Sequence, residues 1–570
     1  MSTRSALLLW IGYGVGFFLL GVWALKSLGL EVPGIDDAYI FFVYARNFAE
    51  GHGFVYNIGG ERVEGFSSML WVLVLSGVWK LFGQFSWELM AICVGFCSLC
   101  LVLGLHVLQR LSFLQGDIDK SPPDHYWKVI GLWMGVWALA SPGFVIWSTT
   151  TLMENGLWEL LLMGCVLWAL QLIHSKPLSL KELAGLGGLM GLLVLCRPEG
   201  MYWVCLLMLG LGVGRWCCGQ TIPKGIRDVM IPGAVLALIL AALVGFRLKY
   251  FGYPLPNTYY AKVSPDRWYN FLEGVKYLIG FGKWHFGVPI CCAAVLMGFL
   301  AGVKVIWNRL RNGQTGDRGV VTLGVLCGFL IGGLVVAPLV GGDHFAMYRI
   351  FQVFWVLLPI PCFHWLWKKY AASTGRKQAG ILLVGVFIGL SCRESWLSLT
   401  PESRIASEYR IVEKDTRIGQ LLNEWFPESE APSIGVLSAG AIAFEYKGVV
   451  WDLMGLNFSA MAHSPGDKKG QKNHAAFNKD VFWKVTPDIF LPYISTGVQE
   501  IIQGRKKQKA KSIASPETDP FKGLRRDPRF IEEYALGVLD KGDGTLLGGV
   551  FHKEYLNQLE GFKFQEVPLD

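Results

Sequence analysis

Two carboxylates, Asp36 and Asp37, stand side by side in the stretch IDDAYIFFVYARN, just beyond an apolar run over residues 6–25. A carboxylate at the boundary between hydrocarbon and water is costly unless it has work or a partner. The work open to it is taking up a proton, which speeds a reaction by roughly 10²–10⁴-fold. Nine residues beyond Asp37, Arg46 offers a guanidinium suited to a phosphate by forked hydrogen bonds. A second cluster, GGDHFAMYR at 341–349, supplies Asp343, His344, Tyr348 and Arg349 behind two glycines that let backbone approach a ligand. Other candidates are Tyr39, Asn57 and Glu64, then Glu154 in TTTLMENG, Arg197 and Glu199 in CRPEG, and Asn257, Tyr259 and Lys262 in FGYPLPNTYYAK. Each has a plainer reading. Asp36 and Asp37 solvate a helix end or pair with Arg46. Asn57 and Glu64 stabilise a turn, and Arg197 pairs with Glu199. Tyr259 anchors at a membrane interface. In the tail, Asp452 and Asn457 serve a turn or meet an acceptor. An Asp–His pair is too thin for a metal site, so no metal and no cofactor is expected.

The elements that must position these residues are membrane helices. Of 570 residues, 52% are hydrophobic and only 17% charged, well under the roughly 25% charged share of a soluble domain. Mean hydropathy is +0.40. Windows of about 19 residues pick out apolar runs at 6–25, 88–109, 128–148, 156–173, 183–196, 200–215, 229–248, 285–303, 319–340, 351–367 and 378–395. These predict eleven spans. The run 69–82 is shorter and carries Lys80, so it is expected to lie in the interface. With the N-terminus in the cytoplasm, the inner loops collect Arg110, Lys128, Lys181, Arg215, Arg227, Arg309, Arg318, Lys368 and Arg376, as the positive-inside rule requires. The net charge of +8 is then about orientation and gives no case for nucleic acid. The 13 cysteines all fall at or before residue 392, mostly in apolar runs, and read as small core residues.

An odd number of crossings puts the tail outside. The expected division is a transmembrane domain over 1–395, with an outer loop at 26–87, and an extracytoplasmic α/β domain over 396–570. In the tail, residues 404–426 predict an amphipathic helix. SIGVLSAGAIAFEYKGVVWDLMGLN predicts strand, turn, helix and strand, PDIFLPYI predicts another strand, and 503–522 a mobile charged loop. All the unusual polar clusters fall on the outer side under this topology. A transporter would gather them near the midplane. One-sided placement suits chemistry on a lipid-anchored substrate.

The segments DDAYIFFVYARNFAEGHGFVYNIGGERVEGFSS, YPLPNTYYAK and GGDHFAMYR resemble the GT-C superfamily of polyprenyl-phosphate-dependent glycosyltransferases. They are most similar to the bacterial family of the terminal β-(1→2) arabinofuranosyltransferase, which VVWDLMGLN in the tail also resembles. The resemblance implies a GT-C fold in the bacterial cytoplasmic membrane. It implies inverting transfer of a sugar, a D-arabinofuranose in that family, from a polyprenyl phosphate to an extracytoplasmic glycan or protein. It assigns the base to Asp36, with Asp37 orienting a neighbour or the acceptor. It leaves Arg46, Asp343, His344, Tyr348, Arg349 and Lys262 for the donor's phosphate and sugar. The alternatives are a transferase acting on lipid A, and a transporter or flippase of a lipid-linked glycan.

Overall fold

The structure, a computed structural model, describes residues 3–113, 125–174, 178–262, 266–391, 396–466, 468, 475–492 and 519–567. The helices in chain order are α1 (Thr3–Ser27), α2 (Asp36–Ala49), α3 (Met69–Phe82), α4 (Trp87–Phe113), α5 (His125–Leu139), α6 (Pro142–Val145), α7 (Asn155–Leu172), α8 (Leu180–Cys196), α9 (Gly200–Cys217), α10 (Ile222–Tyr250), α11 (Asn257–Lys262), α12 (Arg267–Trp284), α13 (Gly287–Asn312), α14 (Arg318–Val340), α15 (Arg349–Gln352), α16 (Ile360–Ala371), α17 (Arg376–Leu390), α18 (Arg404–Trp425), α19 (Ala441–Glu445) and α20 (Ser459–Ala462). A π-helical turn, Ile146–Thr150, follows α6.

Seven of the described helices are long and apolar enough to cross a membrane: α1, α4, α7, α9, α10, α13 and α14. The chain is a multi-pass membrane protein. An eighth crossing arises if α5 and the α6–π segment, bent by 79°, count as one. The expected eleven therefore falls to seven or eight among the described residues, and the physical reasons are local. The run at 128–148 breaks at Ser141-Pro142, where the Ser141 hydroxyl caps a new helix by accepting from the Phe144 N–H. The run at 351–367 turns through 353–359 before α16 begins. Helices α8, α16 and α17 have 17, 12 and 15 residues. Helices α16 and α17 are shorter than the roughly 17 residues the shortest spans need, and α8 stands at that limit. Helix α3, with 14 residues, is also too short and packs on α2 and α8. Counting crossings therefore no longer decides which side the tail occupies.

The tail builds one six-stranded sheet from β1 (Ile434–Val436), β2 (Val450–Asp452), β3 (Ile489–Leu491), β4 (Tyr534–Asp540), β5 (Leu546–His552) and β6 (Lys563–Glu566), in the order β2-β1-β3-β5-β4-β6. β1 pairs in parallel with β2 and β3, and the other pairings are antiparallel. β1 and β3 are buried throughout, as parallel strands covered on both faces must be. The predicted strand, helix and strand over 434–452 and the strand in PDIFLPYI are present. Of the predicted charged loop, residues 503–518 lie outside the described residues.

Two cores hold the molecule. One lies under the sheet around Leu453, Phe482, Phe490 and Phe530. The other runs without a break from the membrane helices through Ile405 and Tyr409 of α18 into Ile434 and Val436 of β1. The sheet domain is thus seated on one end of the helical bundle through shared apolar packing.

Candidate active site

The seat brings the one-sided polar clusters together. The N–H groups of Gly34 and Ile35 donate to the carbonyls of Thr150 and Thr151, at 2.9 and 3.3 Å. This ties the approach to α2 onto the π turn. Thr150 Oγ1 meets Tyr409 OH of α18 at 2.7 Å. Helix α2 then opens with Asp36 and Asp37 in its first turn and no side-chain cap from Ile35. Negative charge there complements the helix dipole.

Asp36 is buried, and its partners lie some four hundred residues away in sequence. Its Oδ1 accepts from the Ala441 N–H at 2.8 Å, and its Oδ2 from the Gly440 N–H at 3.2 Å. Burial, with Asp415 of α18 as the next cause, pushes its carboxyl well above the usual range. Asp415 is itself raised by burial and accepts from the Ser438 hydroxyl. Asp37 is half-buried, more open than its neighbour.

The second cluster forms around Asp343. Its Oδ2 accepts from Nε and Nη2 of Arg349, both at 2.8 Å, and its Oδ1 from the His344 N–H at 2.8 Å. Burial opposes the charge. Arg349 and His344 nevertheless hold Asp343 far below the ordinary carboxylate range, with a smaller contribution from Lys262. The Arg349 guanidinium lies 4.3 Å over the Phe345 ring and 5.3 Å from that of Trp147, a stacked placement only arginine makes well. Positive φ at Gly341, Gly342, Met347 and Tyr348 coils the loop tightly. The two non-glycine residues are the costly ones.

A third group adjoins Arg349. Arg197 binds Glu199 through Nη2 at 3.1 Å, pairs with buried Glu154, and lies 4.9 Å over Trp158. Against burial, Arg197 keeps Glu199 below its usual range, and Arg349 adds to the effect. Between the groups is a narrow cleft of about 20 Å³, lined by Asn155, Trp158, Arg197, Glu199, Val340 and Arg349. Val340 and its neighbour Leu339 are exposed at the end of α14. The cleft thus presents two guanidinium groups beside the exposed apolar end of α14.

Other candidates are brought to the seam between loop and sheet domain. Arg46 donates to the Phe444 carbonyl at 2.6 Å and covers its ring at 4.6 Å. Burial lowers its pKa. Tyr39 packs against Phe42 and Phe444. Asn57 exchanges two 3.0 Å bonds with the backbone of Val450 on the edge strand β2. Asn257 donates to the carbonyls of Gly455 and Leu456. Glu64 forms a two-pronged ion pair with Arg247, at 2.8 and 2.7 Å. Asp452 accepts from Met454 N–H, Asn457 N–H and Asn457 Nδ2, which is the turn role. Tyr348 packs on Tyr277 and Phe281. Tyr259 is 47% exposed beside Tyr260, outside the cleft.

Sequence reasoning passed over α18 as a source of site residues. Arg404 donates to the His344 carbonyl. Glu408, one turn on, is half-buried; burial and then Asp37 push its carboxyl up, while His344, Arg404 and Arg349 oppose this. At about 100° per residue, Arg404, Glu408 and Asp415 form one stripe. That spacing was the available signal. Among the described residues no three His, Cys, Asp or Glu side chains gather as a metal-binding group.

A scan against protein-family models gives no match, and a search of curated proteins gives none either. Among solved structures, the chain is similar to the Archaeoglobus fulgidus oligosaccharyltransferase AglB with an inhibitory peptide and a dolichol-phosphate. Identity is 12%, coverage 98% of this chain and 76% of that one, and TM-score 0.49. It is similar to the oligosaccharyltransferase of the same organism in complex with Zn and sulfate, at 11% identity, 94% and 72% coverage and TM-score 0.47. It is also similar to ArnT from Cupriavidus metallidurans bound to undecaprenyl phosphate, at 12% identity, 89% and 96% coverage and TM-score 0.47.

Proposed function

We propose that the chain is an inverting glycosyltransferase of the GT-C type. It moves a sugar from a polyprenyl phosphate to a glycan or protein acceptor on the outer side of a bacterial cytoplasmic membrane. The sugar is a D-arabinofuranose on the resemblance of its motifs, and the same reading puts the N-terminus in the cytoplasm and the sheet domain outside. One observation carries the proposal. Two guanidinium groups, Arg197 and Arg349, converge on one narrow cleft beside the exposed apolar end of α14. A lipid-borne phosphate can reach such a cleft sideways from the bilayer without leaving it.

In this reading the donor phosphate binds at Arg349 and Arg197, with the His344 ring beside them and Lys262 adding positive charge nearby. Nε and Nη2 of Arg349 are engaged by Asp343, so Nη1 is the nitrogen aimed at the ligand. The acceptor hydroxyl loses its proton to a carboxylate as its oxygen bonds to the anomeric carbon. The bond from that carbon to the phosphate oxygen breaks, and its electron pair leaves with the polyprenyl phosphate. The cations stabilise this leaving group. Both oxygens of Asp36 accept backbone N–H bonds inside the domain seam. The more open Asp37 is therefore the better base, and Asp36 positions it. This reverses the assignment taken from the motif resemblance.

The test is turnover of farnesyl-phosphate pentoses and hexoses by the purified protein. Asp37→Asn is expected to lower kcat by about 10²–10⁴-fold. Full turnover by the Asp36→Asn, Asp37→Asn double variant removes the mechanism. Failure of the native protein to turn over any donor removes the function.

A further inference from the structure

Helix α18 belongs to the part of the chain that carries the sheet, yet it crosses the site. Arg404 fastens its first turn to the His344 carbonyl. Tyr409 is fastened to Thr150, and the helix packs against α2 and α19. Between these two anchors comes Glu408, on the same stripe as Arg404. The Arg404 and Tyr409 anchors and the packing of α18 on α2 bring Glu408 to the part of the site that holds Asp37 of α2, His344 of the 341–349 loop and Arg349 of α15; Asp37, His344, Arg404 and Arg349 all act on its carboxyl. The site's remaining carboxylates are committed. Asp343 is held by Arg349 and His344, Asp36 by Gly440 and Ala441, and Glu154 and Glu199 by Arg197.

We propose that Glu408 is the sheet domain's contribution to the reaction centre, and that Asp37 and Glu408 together bind a polyol acceptor through two neighbouring hydroxyls. Two carboxylates from separate parts of the chain, both half-buried, form a pair of acceptors suited to a diol. Asp37 takes the proton of the attacking hydroxyl. Glu408 accepts a hydrogen bond from the next hydroxyl on the ring and sets the angle of attack. The acceptor class this selects is a glycan. This inference rests on the glycosyltransferase reading above.

The experiment uses the full-length protein, the same farnesyl-phosphate sugars, and octyl glycosides as acceptors, each paired with its analogue lacking the hydroxyl next to the attacking one. Glu408→Gln is expected to lower kcat/KM for the intact acceptor at least tenfold and to leave the donor KM within twofold. Glu408→Asp should recover part of the loss. The deoxy analogue should be at least tenfold poorer than the intact acceptor with the native protein, and no more than twofold poorer with Glu408→Gln. Such loss of discrimination marks direct contact, since a purely structural role lowers both acceptors alike. Native turnover with Glu408→Gln retaining full kcat/KM overturns this inference and leaves the glycosyltransferase reading standing. So does an equal loss on both acceptors accompanied by a raised donor KM. Absence of native turnover with every donor overturns both.

Discussion

The Asp36 carboxylate and the backbone of Gly440 touch across the joint between the helical bundle and the sheet domain. A Cβ added at Gly440 would lie 1.9 Å from the Asp36 carbonyl oxygen and 2.8 Å from its Oδ1. The glycine is needed for closeness. Gly440→Ala must push the start of α2 away from α19 and lengthen both N–H bonds to Asp36. The expected cost is about 1–3 kcal/mol of stability, read as a lower Tm of the detergent-solubilised protein. Glycosyl transfer should fall with it, because Asp37 moves too. An unchanged Tm and unchanged activity would remove the claim that this contact sets α2.

Arg349 should not tolerate lysine. It grips Asp343 through two nitrogens and lies flat over Phe345, and a lysine ammonium does neither. Losing a hydrogen bond to a charged ligand typically costs about 1.5–3 kcal/mol. Arg349→Lys is therefore expected to weaken binding of farnesyl phosphate by roughly 10–100-fold, as measured by calorimetry. Native affinity in this variant would take the phosphate away from Arg349.

Asp452 gives a pH signature in the sheet domain. Burial pushes its carboxyl up to about 6, against roughly 3.9 in an unfolded chain. The folded state therefore holds the proton more tightly. The resulting stability is complete below about pH 4 and is lost as pH rises through 6. The stability difference between native protein and Asp452→Asn should favour the native protein more at pH 4 than at pH 7. The change between these two pH values is expected to be about 2 kcal/mol. Melting curves of both proteins from pH 4 to 7 measure it, and a difference independent of pH contradicts the assignment.

Sequence patterns reached the parts of this molecule set by local physics. The length of α1, the acidic pair that follows it, the amphipathic period of α18 and the strand–helix–strand order over 434–452 are all properties of short windows. What escaped depended on partners far away. Arg46 looked like a phosphate ligand because nothing near it in sequence announces the Phe444 carbonyl it binds. Glu408 drew no notice within the amphipathic helix, since only the docking of α18 on the 341–349 loop gives it neighbours from other parts of the chain. The eleven apolar runs do not become eleven long straight helices, because apolarity does not report a bend. The break at Ser141-Pro142 and the turns over 353–359 leave hydropathy high while ending the helix.

The bond between Asp36 and Ala441 joins residues 405 apart in the chain. During synthesis the acidic pair leaves the ribosome some four hundred residues ahead of the N–H groups that secure it. Until translation has passed the sheet domain, the opening turn of α2 has no lock. A product cut short before residue 440 cannot assemble the centre, however well its membrane helices insert. Arrival of the segment at Gly440 and Ala441 thus completes a centre that the inserted helices alone leave open.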